Sequence, residues 1–283
     1  FGDSSAIPTG IVSQFARKYV KMVLTGDGGD EVLSGYPSYQ GVKFSSFYKK
    51  APGFIREGAP NLLKLAAKSM RGTTRYKLNR YERLFRTADL EFIPSMVERM
   101  PTNEVSSVKN LFSDSKDIYR IEDYTRDFLA NCPYQDDFYK LMFLSFKLFL
   151  PDDMLIKVDR MSMAHSLEAR VPFIDHRLVE FSIQVDKNVK MEKFERKSIL
   201  RNSIGKKMLP QSLLKASKKG FRVPLVEWFK DAAMKERLDK LYLDDFGLQQ
   251  QAIKEFITDN IKKKKDNSNI IWMLIVLQEI LKK

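Results

Sequence analysis

Apolar and polar positions follow two different periods along this chain, and those periods divide it unevenly. Near the start, "IPTGIVSQFARKYV" sets Ile7, Ile11, Phe15 and Val20 among polar residues, the spacing of one helix face. "KMVLT" follows as a short, nearly continuous apolar run, which predicts a strand covered on both faces. Helix, buried strand and then a glycine-rich loop is the order of a parallel α/β sheet. Beyond that loop strand signals almost vanish. "APNLLKLAAKSM", "YKLNRYERLF", "DFLANC", "DDFYKLMFLSFKLFL", "DHRLVEFSIQV", "KSILRNSIGKKM" and "PLVEWFKDAAMKERLDKLYL" all read as helices, separated by prolines and polar clusters. The last segment, "NIIWMLIVLQEIL", is apolar almost all round and predicts a buried helix. It is too short to cross a bilayer.

The predicted architecture is therefore mainly α with the edge of an α/β parallel sheet. Residues 1–40 are expected to form the end of a nucleotide-binding α/β unit, and 41–283 a helical lobe of the same domain. An isolated sheet edge is not a folding unit, so the remaining strands are expected upstream of Phe1. The chain also opens on Phe rather than Met, in residues that read as loop, which adds to the expectation of a piece of a longer protein.

The strand runs into Thr25-Gly26-Asp27-Gly28-Gly29-Asp30-Glu31, and "VLSGY" after it can begin a helix. Ligands of open α/β sheets bind at the carboxyl ends of strands, where such loops lie. Glycines let backbone approach a ligand, and the N–H groups of a helix start favour phosphate. Carboxylates beside phosphate make sense with Mg²⁺ between them, because Mg²⁺ takes one or two carboxylates plus phosphate oxygens. Asp27 and Asp30 are close enough in sequence to face one cleft. The simpler alternative is a glycine turn with Asp30 as helix N-cap. No Gly-Lys-Ser/Thr follows the glycines, so this is not a Walker loop.

A second constellation is "LPDDMLIKVDRMSMAHSLEARVPFID", read as a helix, an extended piece and a turn. Met154, Leu155, Val158 and Met161 make its apolar stripe. In "SLEARVP", Ser166, Glu168 and Arg170 alternate with Leu167, Ala169 and Val171, giving one polar side if extended. Pro172 biases Val171 towards that form. Glu168 and Arg170 can be a structural ion pair or the wall of a cleft. His165 and His176 are the only histidines and read as packing or capping residues rather than ligands. In the third stretch, "EKFERKSILRNSIGKKMLPQSLLKASKKGFRVPLVEWF", Lys197 and Lys218 can serve a phosphate site, against a default of surface lysine.

Composition adds limits more than content. With 43% hydrophobic and 30% charged residues the chain suits a globular protein with a sizeable core. No signal-peptide pattern or membrane span is evident, and the single cysteine, Cys132, rules out an intramolecular disulfide. Both fit a cytoplasmic location. The 49 Lys+Arg against 36 Asp+Glu leave a net charge of +13, which attracts polyanions. The lysines look scattered, and the tightest run, Lys262–Lys265, reads as a solvated helix end. No basic and aromatic nucleic-acid module is recognisable, so neither nucleic acid nor membrane is expected as a partner.

Taken together and in this order, "FGDSSAIPT", "LTGDGGDEVLSGY", "LPDDMLIKVDRMSMAHSLEARVPFIDHRL", "KSILR" and "LPQSLLKASKKGFRVPLVEWF", ending in "IIWMLIVLQEIL", resemble the synthetase domain of glutamine-dependent asparagine synthetases. Tyr39 to Leu141 is the least distinctive part. The resemblance implies an adenine nucleotide alpha hydrolase-like (ATP-pyrophosphatase) domain with ATP and Mg²⁺. The side-chain carboxylate of aspartate attacks the α-phosphate, giving an acyl-adenylate and pyrophosphate. Ammonia from a glutaminase domain then displaces AMP to give asparagine.

By the same resemblance, Thr25, Gly26, Gly28 and Gly29 lie against the nucleotide and Asp30 binds Mg²⁺. Asp27 stands near the acyl-adenylate and the incoming amine. Lys218 neutralises charge on the α-phosphate, Lys197 contacts phosphates, and Ser4 and Ser5 face the intermediate. Glu168 and Arg170 organise the cleft wall.

Two departures stand out. The family's Ser-Gly-Gly-x-Asp-Ser loop, whose Asp partners Asp30 on Mg²⁺, is absent, as is the glutaminase domain with its N-terminal cysteine; Cys132 is internal. The expectation is half a synthetase site, inactive alone, with homodimer formation open. Two alternatives stand beside it. One is a related amidotransferase of polysaccharide synthesis or a β-lactam or lasso-peptide cyclase. The other is a basic helical module binding nucleic acid or protein.

Overall fold

The computed structural model describes residues 2–99, 110–112, 121–216, 221, 223–262 and 266–282. Helix α1 (Ala6–Arg17) leads into strand β1 (Met22–Leu24), which pairs in parallel with β2 (Glu168–Arg170). In register, Met22 lies opposite Glu168, Val23 opposite Ala169 and Leu24 opposite Arg170. Two short strands far apart in sequence thus end side by side, and the loops that leave them share one end of the pair. Among the described residues this is the only sheet.

Between the strands come α2 (Gly29–Val32), α3 (Pro37–Tyr48), α4 (Gly53–Ser69), α5 (Gly72–Ala88), α6 (Phe92–Arg99), α7 (Ile121–Ala130) and α8 (Asp137–Leu144). Asp136 caps α8 by accepting a hydrogen bond from the Phe138 N–H. Helix α8 continues into a wider π-type turn over Ser145–Leu155 and then α9 (Ile156–Met163). Pro151 lies inside that wide segment, where its missing N–H cannot keep an α-helical ladder intact. The second constellation folds as its pattern predicts, with α9, then β2, then a tight turn at Pro172–Ile174.

After β2 the chain is helical again, through α10 (His176–Gln184), α11 (Lys187–Lys190) and α12 (Ser198–Leu200). The expected long helix over "PLVEWFKDAAMKERLDKLYL" is two, α13 (Leu225–Trp228) and α14 (Ala232–Asp239). Asp231 accepts a hydrogen bond from the Ala233 N–H and starts the second as its N-cap. Helices α15 (Gln250–Ile261) and α16 (Ser268–Leu281) close the chain.

Two cores hold these elements. One joins Leu225, Leu241, Leu243, Ile253, Ile271 and Ile275 across α13 to α16. The other joins Tyr39, Val42, Phe138, Leu141, Met142 and Met191 across α3, α8 and the end of α11.

Two expectations do not hold. Strand β1 is not covered on both faces, since Met22 and Leu24 are exposed. The Ile11 and Phe15 stripe of α1 also faces solvent, so no described element supplies the second layer that a buried strand needs. Helix α16 buries only one face, through Ile270, Ile271, Leu274 and Ile275, and leaves Met273, Leu277 and Ile280 exposed. Of the Lys262–Lys265 run, Lys262 ends α15 and the other three lie outside the described residues. Among the described residues no helix is long and apolar enough to cross a membrane.

Candidate active site

The loop after β1 begins by extending the sheet, with the Thr25 N–H donating to the Arg170 carbonyl at 2.8 Å. It then turns into α2 at Gly28, whose φ of 78° is in the left-handed region. Gly28, not Asp30, occupies the N-cap position, so the simpler reading of Asp30 as cap does not hold. A Cβ on Gly28 would sit 2.3 Å from Ile174 Cγ2, and one on Gly29 would sit 3.3 Å from the Phe173 ring. Gly28 is thus required by the packing of the loop against the turn that follows β2, whereas at Gly29 the Phe173 ring would have to give by a few tenths of an ångström. Gly26 differs: among the described residues no atom lies within 4 Å of where its Cβ would be. The open side of the loop is at Gly26 and Asp27. Asp27 is half-buried and makes no hydrogen bond or ion pair among the described residues. Beside it, Thr25 Oγ1 is buried without a partner among the described residues.

Asp30 points to the other side of the loop. Its Oδ1 lies 2.7 Å from Lys197 Nζ, in a pair with side-chain exposures of 19% and 30%, shielded enough to escape most salt screening. Gly35 makes room for this pair, because a Cβ there would fall 1.9 Å from Asp30 Oδ1 and 2.5 Å from Lys197 Cε. Lys197 itself has φ 55°, and Lys193 and Phe194 have φ 47° and 64°. Three side-chain-bearing residues in left-handed backbone within five positions cost on the order of 1–3 kcal/mol each, and strain of this kind gathers at functional sites. Here it delivers the Lys197 ammonium to Asp30.

Behind the loop, α2 is anchored by buried polar groups. Tyr36 donates to Glu31 Oε1 at 2.6 Å, and burial, reinforced by the Glu31 charge, raises the Tyr36 phenol well above its usual range. Lys190, buried at the end of α11, donates to Ser182 Oγ at 3.0 Å, and Ser182 donates to the Val32 carbonyl at the end of α2. Burial lowers the Lys190 ammonium to about 8.

The remaining predicted site residues fall into three places. Glu168 and Arg170 do share the polar side of β2, joined at 2.8 Å, but both are well exposed, a pair of small energetic weight. Ser4 and Ser5 precede α1. Ser5 donates to the Asp3 carboxylate, which also faces the buried Lys157 at 3.4 Å, so its contacts run to α9 rather than to Asp27 or Asp30. Lys218 lies outside the described residues. His165, His176 and Cys132 belong to no metal cluster: among the described residues no three His, Cys, Asp or Glu are grouped to hold an ion. Gly35 and Lys190 escape sequence reading because their roles depend on neighbours more than a hundred positions away, or on a side chain folding back five positions.

The chain is thus helical with a small parallel sheet, and an acidic glycine loop faces a lysine at the sheet's carboxyl end, the place where α/β proteins bind their ligands. The chain belongs to the asparagine synthase family, whose model matches residues 1–282. It is 24% identical over 277 residues to "Asparagine synthetase [glutamine-hydrolyzing] 1" of Bacillus subtilis (strain 168), covering 97% of this chain and 42% of that protein. A putative asparagine synthetase [glutamine-hydrolyzing] of Mycobacterium tuberculosis (strain ATCC 25618 / H37Rv) is 25% identical over 237 residues, 83% of this chain and 34% of that one. "Amidase chyE" of Penicillium rubens (strain ATCC 28089 / DSM 1075 / NRRL 1951 / Wisconsin 54-1255) is 23% identical over 262 residues, 84% of this chain and 38% of that one. The chain therefore spans less than half the length of these relatives. No solved structure matches it.

Proposed function

We propose that this chain is the C-terminal part of the synthetase unit of a longer glutamine-dependent asparagine synthetase, a C–N bond-forming ligase. In this reading residues 1–40 end an adenine nucleotide alpha hydrolase-like sheet and 41–283 form its helical lobe. The exposed apolar face of α1 and β1 is the seat of the remaining strands. The observation that carries the reading is the loop after β1, which gathers an open Gly26–Asp27 edge, an unsatisfied Thr25 hydroxyl and the Asp30–Lys197 pair.

The nucleotide lies along Thr25 and Gly26, where no described atom comes within 4 Å of a Cβ built on Gly26. Asp27, without a partner among the described residues, faces the activated carbonyl and accepts a proton from the incoming ammonia. Lys197 meets phosphate oxygens, and a cation already in place lowers the barrier as negative charge gathers on them. Lys218 takes the corresponding position on the α-phosphate, and Ser4, Ser5, Glu168 and Arg170 border the intermediate. A lone carboxylate fits Mg²⁺ only as part of a shell completed by phosphate oxygens, waters and another segment. Asp30 would hold it, once Lys197 has turned to phosphate. Bound there, the ion would neutralise charge on the departing pyrophosphate.

The test is AMP formation by the full-length protein given ATP, aspartate and either ammonia or glutamine, with Asp30→Ala alongside. Turnover lost in the variant supports the reading; AMP formation by the 283-residue chain alone would overturn the proposed division of the site. The resemblance to proteins named amidases favours one second reading, the same adenylation with a different acceptor acid. AMP formed with another carboxylic acid and not with aspartate would select it.

A further inference from the structure

The net charge of +13 is not spread evenly over the fold. Helices α4 and α5 pack against each other as a hairpin of two 17-residue helices, roughly 25 Å long by their rise per residue. Residues 53–88 hold nine Lys and Arg against two Glu, a net of +7, over half of the total. Their use divides sharply along the hairpin. At the base, Arg56 pairs with Asp89, Arg86 with Glu82 and Glu98, and Arg83 donates to the Glu98 carbonyl at 2.7 Å. Towards the turn, Lys64, Lys68, Arg71, Arg75, Lys77 and Arg80 are all exposed and form no ion pair among the described residues. Between Glu57 and Glu82 there is no acidic residue at all.

Stability does not explain this tip. The first turn of α5 holds no acidic residue and is followed at once by Arg75, where the helix dipole favours an anion. Six like charges on the two helix ends that meet at this interhelical turn also repel each other. An anion outside the fold would resolve both conflicts. The same tip exposes apolar groups: Leu65 is 65% and Tyr76 69% accessible, with Leu62 and Met70 also exposed. Cations beside aliphatic and aromatic side chains suit a lipid headgroup layer, where phosphates meet the ammonium and guanidinium groups and the apolar residues sink between them. Nucleic acid would satisfy the charges but offers no apolar phase to Leu62, Leu65 and Met70.

We propose that the tip of the α4–α5 hairpin is a docking surface for an anionic membrane, holding this domain at a lipid surface without spanning it. The proposal is independent of the reaction assigned above. Each cation at an anionic surface contributes about fivefold to partitioning, so a triple reversal should cost at least a hundredfold.

The experiment is co-sedimentation of the full chain with phosphatidylcholine vesicles, with and without phosphatidylglycerol. The chain should pellet only with the anionic vesicles and be released by salt. Lys68→Glu, Arg75→Glu and Lys77→Glu together should lose that binding, while Lys207→Glu, Lys235→Glu and Lys254→Glu, equal in charge and also exposed, should lose only a few-fold. Leu65→Ser with Tyr76→Ser should weaken binding at constant charge. Circular dichroism would show that each variant stays folded, as expected for surface positions. Failure to bind anionic vesicles would overturn the proposal, as would equal losses from the two triple variants. So would duplex DNA or tRNA capturing the tip while the apolar double variant leaves vesicle binding unchanged.

Discussion

Lys197 Nζ rests 2.7 Å from Asp30 Oδ1, and Lys197 reaches it from a left-handed backbone position that lysine rarely takes. The pair joins the loop after β1 to the segment before α12. Lys197→Met should remove an ion pair of about 1–2 kcal/mol from this chain, read as a lowered melting temperature. In the full-length enzyme the same change should reduce ATP–pyrophosphate exchange roughly a hundredfold. A stability loss without a loss of exchange would confine Lys197 to folding. Lys197→Gly separates backbone strain from charge: it should be more stable than Lys197→Met by about 1 kcal/mol, and equally slow.

Gly35 sets the space in which that pair forms. Gly35→Ala would place a methyl 1.9 Å from Asp30 Oδ1, so the pair must separate, at an expected cost of about 2–3 kcal/mol. In an Asp30→Ala background the remaining obstruction is Lys197 Cε at 2.5 Å, the movable end of a side chain that no longer has its carboxylate, so Gly35→Ala should cost less than about 1 kcal/mol. Urea unfolding of the four proteins in this double-mutant cycle measures the difference.

The legible parts of the sequence were those fixed by local pattern. Asp136 and Asp175 each stand before a helix and accept a backbone N–H two residues on, whereas the same signal at Asp231 lies inside a stretch that reads as one helix. "SLEARVP" alternates, and β2 alternates with it, burying Leu167 and exposing Glu168 and Arg170. The acidic loop was placed correctly at the end of β1, because a glycine run after an apolar run has few other uses. What failed depended on distant partners. "KMVLT" is apolar enough for a covered strand, yet composition cannot say whether a covering layer is present. Gly28 and Gly29 read only as ligand-facing in sequence, and their packing against Ile174 and Phe173 could not be seen there. The basic residues looked scattered because they are spaced along two helices, and only the hairpin brings Lys64 and Lys68 back beside Arg75 and Lys77.

Lys157, buried in α9, lies 3.4 Å from Asp3 Oδ2 and offsets the charge felt by Asp153, whose carboxyl burial raises above its usual value, with help from Asp3. Lys157→Met leaves two carboxylates near each other without their cation, which should cost about 2–3 kcal/mol at pH 7. A raised carboxyl binds its proton more tightly when folded, so stability falls as pH rises through the window above the unfolded value. The variant should therefore regain part of its loss at pH 5. Melting temperatures at the two values test this, and an equal deficit at both would show that packing, not charge, explains the loss.

Lys190 reverses that dependence. It is buried against Met142 and Ser182, with burial lowering its ammonium to about 8, against an unfolded value near 10.4. Between those values the unfolded chain binds more protons than the native one, so stability should rise with pH from about 8 to 10. The penalty is fully present below pH 8 and, for a shift of this size, on the order of 3 kcal/mol. Above pH 10 the trend should turn over, because Tyr36 and Tyr39, both raised by burial, ionise only after unfolding. Lys190→Met keeps the volume and discards the charge. It should unfold at equal or higher urea concentration than the parent at pH 7 and lose the rise between pH 8 and 10. If the rise persists in Lys190→Met, another group causes it. If the variant is instead much less stable at pH 7, then the hydrogen bond from Lys190 through Ser182 to the Val32 carbonyl outweighs the burial of the ammonium, and Lys190 is a polar support for the helix that carries Asp30.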